Sequence, residues 1–150
     1  MRWGLFTSGY QRNPLEDAFR DAKRFGYDYV ELWGGRPQAY APDLAAGDLD
    51  SVRRLADRYE MPILVYTPEH NAYPYNFMAG SEAMRREAVA YLELSMDMAK
   101  ALGAGSMLVS PAHAGYLATR EEIWERLART MRELAEHAEK IGITILLEAL

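Results

Sequence analysis

Glu148 is the single charged residue in the run Ile143-Thr144-Ile145-Leu146-Leu147-Glu148-Ala149-Leu150. A run this apolar, placed just after a glycine at a helix end, reads as a parallel strand buried on both faces. An ionised carboxylate in such surroundings is costly unless it is paired or bound to a cation. Glu148 is therefore either a metal ligand or one half of a buried pair with an arginine.

Other residues could do chemistry with less emphasis. Glu31 lies in Val30-Glu31-Leu32-Trp33; strand alternation puts Glu31 and Trp33 on one face, with Val30 and Leu32 on the other. Structural pairing is the expected role of Glu31, while Trp33 is a site candidate at the strand end. His113, in Ala112-His113-Ala114-Gly115, follows the fourth strand, and His70 follows the third. Each is a ligand contact or a hydrogen-bonded loop histidine, and His70 is the weaker candidate. Tyr73 and Tyr75 occupy a long irregular stretch and either cover a bound molecule or pin the loop. His137 lies off its helix's apolar stripe and is expected on the solvated surface. The methionines of the third helix, at helical spacing, read as core fillers.

The elements that must position these residues alternate strictly. Strands are expected over 2–7, 27–33, 63–67, 106–110 and 143–150. The first helix starts at Asn13-Pro14-Leu15-Glu16, with Asn13 as cap and Pro14 in the first turn. Leu15, Ala18, Phe19, Ala22 and Phe25 follow at helical spacing, and Gly26 closes the helix. The second helix spans 48–59 and stops before Pro62. Ser81 caps the third, which turns Met84, Ala88, Tyr91, Leu92, Met96 and Ala99 inward. Thr119-Arg120-Glu121-Glu122 is a capping box for the fourth, whose inward face runs from Ile123 to Ile141. The stretch from Pro68 to Gly80 is the longest connection, and long connections in compact domains commonly carry function.

Strand–helix alternation of this kind means an α/β fold with a parallel sheet. An open doubly wound sheet and part of an eight-fold (βα) barrel both fit. No glycine-rich phosphate loop follows the first strand, which favours the barrel. A whole barrel takes roughly 250 residues, so this chain supplies a single half-barrel domain of five strands and four helices.

Composition sets further limits. The chain has 150 residues, 49% of them hydrophobic, with net charge -5 and no cysteine. That excludes disulfides and thiolate metal sites and leaves no positive field for nucleic acid or anionic membrane. No apolar stretch has the length of a membrane span, and a cytoplasmic location is expected.

In order and spacing, the strings FTSGYQRNPLEDAFRDA, GYDYVELWGGRP, YAPDL, MPILVYTPE, NAYPYN, MRREA, MDMAKALGAG, AHAGYL and ILLEAL resemble the ketose-type 3-epimerases among the xylose-isomerase-like sugar isomerases and epimerases. The resemblance covers the whole chain. It implies a half (βα)8 barrel, proton abstraction beside a carbonyl, and a divalent, manganese-like metal held at the C-terminal strand ends. By its place in ILLEAL, Glu148 matches the fifth-strand glutamate that serves there as metal ligand and acid/base. The other ligands and the second base belong to strands that this sequence lacks. A sugar or sugar-amine is the implied substrate, with Trp33, Tyr66, Tyr75 and His113 as candidate contacts.

Three functions are weighed on this basis. The first is the N-terminal half of such an epimerase, inactive unaided. The second is a DNA-repair endonuclease of the same superfamily, with His70, His113 and Glu148 around zinc; the acidic balance speaks against it. The third is an engineered half-barrel scaffold without activity. The unpaired edges of a half barrel imply a homo-oligomer or a complementing half as partner.

Overall fold

In the computed structural model, residues 1–72 and 74–149 are described, so Tyr73 and Leu150 lie outside the described residues. Five strands alternate with four main helices. They are β1 (Gly4–Phe6), α1 (Leu15–Arg24), β2 (Tyr29–Gly34), α2 (Leu49–Tyr59), β3 (Ile63–Pro68), α3 (Glu82–Ala101), β4 (Ser106–Val109), α4 (Arg120–Ile141) and β5 (Thr144–Leu147). All neighbouring strands are parallel, in the order β1-β2-β3-β4-β5. An order that never reverses keeps every crossover helix on one side of the sheet, whereas a doubly wound sheet reverses at a switch point. The α/β fold is thus about half of a (βα)8 barrel.

The core lies between the helices and the outer sheet face. Val30, Leu32, Tyr66, Met107 and Val109 from the strands meet Phe19, Val52, Leu92, Met96 and Leu134 from the helices, all nearly or fully buried. In β2 the alternation holds as read from the sequence, with Val30 and Leu32 buried and Glu31 and Trp33 half-buried on the inner face. In β3 it does not. Val30 pairs with Ile63 but Glu31 pairs with Val65, so one extra residue enters β3. A bulge of this kind reverses which side chains face the core. Tyr66 and Pro68 turn to the helices, and Thr67 turns inward.

Helix ends follow local chemistry with two exceptions. The capping box of α4 is present: Glu122 N–H donates to Thr119 Oγ1 at 3.2 Å, and Thr119 N–H donates to Glu122 Oε2 at 2.8 Å. Ser81 Oγ accepts from Met84 N–H at 3.4 Å at the start of α3. Asn13 does not cap α1. Pro14 holds the cap position without a side-chain bond, and Asn13 N–H instead donates to Tyr10 O at 2.9 Å, closing the turn that follows the 3-10 segment Thr7–Tyr10. Asp48 makes no side-chain cap either: a helical turn at Ala41–Asp43 and a wide turn through Gly47, at φ 145°, lead directly into α2.

Three other expectations are corrected. Met84 is 43% exposed, the inward place in that turn being taken by Arg85, which bonds Glu82 and Glu133. His137 is not free on the surface; its Nε2 pairs with Asp97 Oδ1 across α3 and α4 at 2.8 Å. β5 is not buried on both faces: Leu146 and Leu147 are 40% and 51% exposed, because no described element packs beyond this edge. Among the described residues, no helix is long and apolar enough to cross a membrane.

Candidate functional site

The C-terminal strand ends open on a pocket of about 210 Å³, the position where (βα) barrels place working residues. Trp33, Thr67, Glu69, His70, Leu108 and Glu148 all line it, and Phe6, Ser8 and Gln11 close its β1 side. Glu148 reaches it through the ladder. Val109 and Leu147 are register partners, and Glu148 N–H donates to Val109 O at 3.1 Å, extending the pairing one residue past β5. With Leu147 turned toward the helix side, the period of two turns Glu148 inward. Its carboxylate is exposed at this open mouth, so the apolar surroundings expected from its sequence neighbours are absent.

Trp33 is held from three sides. Its backbone N–H donates to Thr7 Oγ1 at 2.9 Å, its indole Nε1–H donates to Glu69 Oε2 at 2.9 Å, and the ring lies so close over Gly35 that a Cβ there would collide with it. Deeper on the inner face, Thr67 Oγ1 donates to Glu31 Oε1 at 2.8 Å, the structural pairing expected for Glu31.

His70 is buried and ties two strand ends together. Its Nε2 accepts from Ser110 N–H at 3.0 Å and also lies 3.1 Å from Ser110 O, while Nδ1 lies 2.8 Å from Pro68 O. An Nε2 that accepts requires the neutral Nδ1–H tautomer, which donates to Pro68 O. Burial pushes its pKa below the usual 6.5, in agreement with that tautomer. Both nitrogens are thereby committed, and Phe77 stacks on the ring at 6.5 Å.

The remaining candidates lie elsewhere. Tyr66 is fully buried on the helix side and donates its hydroxyl to Ala39 O at 2.7 Å, and burial raises its pKa. The β3 bulge is the reason it is not on the inner face. Tyr75 stacks on Tyr91 at 3.8 Å, and its hydroxyl lies 2.7 Å from that of Tyr40, so it pins the long loop to α3. Burial, with this bond second, pushes the Tyr40 hydroxyl up to about 12. His113 is exposed, accepts from Gly115 N–H at Nδ1 at 2.9 Å, and lines a separate groove with Ile123, Trp124 and Leu127. His70 and Glu148 thus share a pocket that His113 does not join, and the three-ligand zinc arrangement is not assembled.

Among the described residues, no three His, Asp or Glu side chains converge to hold a metal ion. Glu148 could give one donor, and His70 has no nitrogen to spare. The donor set on this chain does not fit a complete metal centre. Glu69, Thr67, Ser8 and Gln11 were not singled out from the sequence. Only the position of Glu69 one residue past the third strand could have drawn attention to it.

A family model described as "Xylose isomerase-like TIM barrel" matches residues 19–150. Fructoselysine 3-epimerase of Escherichia coli O157:H7 is 55% identical over 150 residues, which cover 100% of this chain and 54% of that protein, its N-terminal half. The chain spans about half the length of the curated relatives it matches. Among solved structures, a D-psicose 3-epimerase in the presence of D-fructose superposes with a TM-score of 0.81 at 15% identity, covering 100% of this chain and 53% of the other. An IOLI protein with a binding zinc atom gives 0.79 at 20% identity, covering 100% and 52%. These two likenesses are of fold.

Proposed function

The chain belongs to the xylose isomerase-like TIM barrel family, and on that premise we propose that it is the N-terminal half of a ketose-type 3-epimerase acting on fructoselysine or a related sugar amine. The observation that carries this reading is Glu148, the carboxylate that follows the fifth strand, lining the barrel-mouth pocket together with Trp33. The 55% identity to a fructoselysine 3-epimerase supports the substrate class.

The chemistry asked of Glu148 is proton transfer at carbon. Its carboxylate takes the proton from the carbon beside the ketose carbonyl, and the bond's electron pair moves toward the carbonyl oxygen to give an enediolate. A second acid then returns a proton to the opposite face, inverting that carbon. A positioned base contributes about 10²–10⁴-fold. Trp33 offers an aromatic face to the apolar side of the sugar ring. A divalent, manganese-like ion belongs to this reading only with Glu148 as one of several ligands, the others coming from outside this chain.

The 150-residue chain by itself therefore turns over no substrate and associates through its open strand edges, with a second copy or with a complementing half barrel. The test is exchange of the ketose's carbon-bound proton with solvent deuterium, by this chain alone and after mixing with the C-terminal half of the Escherichia coli relative. Exchange only in the mixture supports the reading. No exchange in either, with a folded complex present, sinks it.

A further inference from the structure

Glu69 sits one residue past β3, at the pocket wall that Trp33 forms. Trp33 Nε1–H engages one of its carboxylate oxygens, Oε2, at 2.9 Å. Among the described residues, no hydrogen bond engages Oε1, and the residue is exposed to the pocket. The indole cannot swing away freely, since the ring lies against Gly35 and the backbone of Trp33 is tied to Thr7. Glu69 is thus a carboxylate whose direction is set by a fixed neighbour.

The electrical character of the pocket gives that carboxylate a task. Among the described residues, its lining holds two acidic groups, Glu69 and Glu148, and neither lysine nor arginine; His70 is neutral. A phosphorylated sugar would bring two negative charges toward two carboxylates on a wall where no lysine or arginine of this chain faces it. A protonated amine meets the opposite situation. Glu148 is assigned to the carbon acid, which leaves Glu69 for the amine.

We propose that Glu69 is a specificity-determining residue, whose free carboxylate oxygen accepts the protonated amine of a sugar-amine substrate and makes the pocket reject sugar phosphates. The assignment rests on the epimerase reading and deepens it. Glu69 takes no part in proton transfer at carbon. Its hydrogen bond with Trp33 couples amine binding to the placement of the aromatic wall.

The indole N–H resonances of the full chain test this by nuclear magnetic resonance, with Trp33 assigned from the peak missing in Trp33→Phe. The probes are D-fructose, 1-amino-1-deoxy-D-fructose and D-fructose 6-phosphate, each titrated into the wild type and Glu69→Gln. Glutamine keeps an acceptor for the Trp33 indole and removes the charge. The expected result is a Trp33 shift that saturates at lowest concentration with the amino sugar, at roughly tenfold lower concentration than with D-fructose. That tenfold preference should vanish in Glu69→Gln, with the fructose response unchanged and the phosphate binding weakest in the wild type. A preference that survives in Glu69→Gln, or a phosphate that binds as well as the amine, overturns the assignment. If D-fructose itself leaves the Trp33 peak unmoved, the sugar site fails, and the assignment with it.

Discussion

Ser110 donates its backbone N–H to His70 Nε2 at 3.0 Å, joining the end of β4 to the residue that leaves β3. One imidazole therefore fixes the spacing of two strand ends on the floor of the pocket, because its other nitrogen is spent on Pro68 O. The histidine works as a neutral staple.

This staple makes stability depend on pH in a defined direction. The folded chain holds the His70 pKa below its ordinary 6.5, so the unfolded chain takes up a proton that the folded one resists. The stabilisation is complete above about pH 6.5 and is lost as pH falls through that value toward the lower folded one. Urea unfolding at pH 7.5 and 5.5 should show a smaller drop in His70→Ala than in the wild type. At pH 7.5 the variant should be destabilised by about 1–3 kcal/mol through the orphaned Ser110 N–H. Equal drops in both proteins would contradict the neutral staple.

A methyl at position 35 should disturb Trp33 before anything else. A Cβ on Gly35 collides with the indole ring, and φ at Gly35 is not in the left-handed region, so the effect is steric and not conformational. Gly35→Ala should shift the Trp33 indole resonance and break its bond to Glu69, with a stability loss of about 1–3 kcal/mol. An unmoved indole signal would show that the ring is not packed there.

Self-association should follow from the inner face and the edges. Phe6 is 39% exposed on β1, Leu146 is 40% exposed on β5, and both lie on edge strands of the five-stranded sheet. Light scattering at micromolar concentration should give at least a dimer, and Leu146→Lys should shift it toward monomer, a charge on an open edge opposing pairing. A well-folded wild-type monomer at that concentration would count against this.

Much of the architecture was legible because it depends on local punctuation. Gly26, Gly103 and Gly142 end helices in left-handed conformation, and Thr119 with Glu122 starts one, so element order and barrel-like topology followed from residues near one another in sequence. Glu31 and Trp33 were placed on the correct face because β2 alternates without interruption. Tyr66, a candidate contact by resemblance, lies on the helix side because the extra residue in β3 arises from pairing with β2, which the sequence of β3 alone does not reveal. Glu69 was missed for a related reason: its partner is Trp33, thirty-six positions away, brought close only by the sheet. Glu148 stood out as a lone carboxylate in an apolar run, but its exposed surroundings did not follow from that run, since the apolar residues beside it face solvent at an edge strand.

Glu148→Gln carries the most direct test of the catalytic assignment. The side chain is exposed and makes no hydrogen bond among the described residues, so the variant should fold and associate like the wild type. The decisive measurement is the rate of solvent-deuterium exchange at the carbon beside the ketose carbonyl, with each chain mixed with the C-terminal half of the Escherichia coli relative. A fall of about 10²–10⁴-fold in the variant is the predicted result. An unchanged rate would contradict the role assigned to this carboxylate.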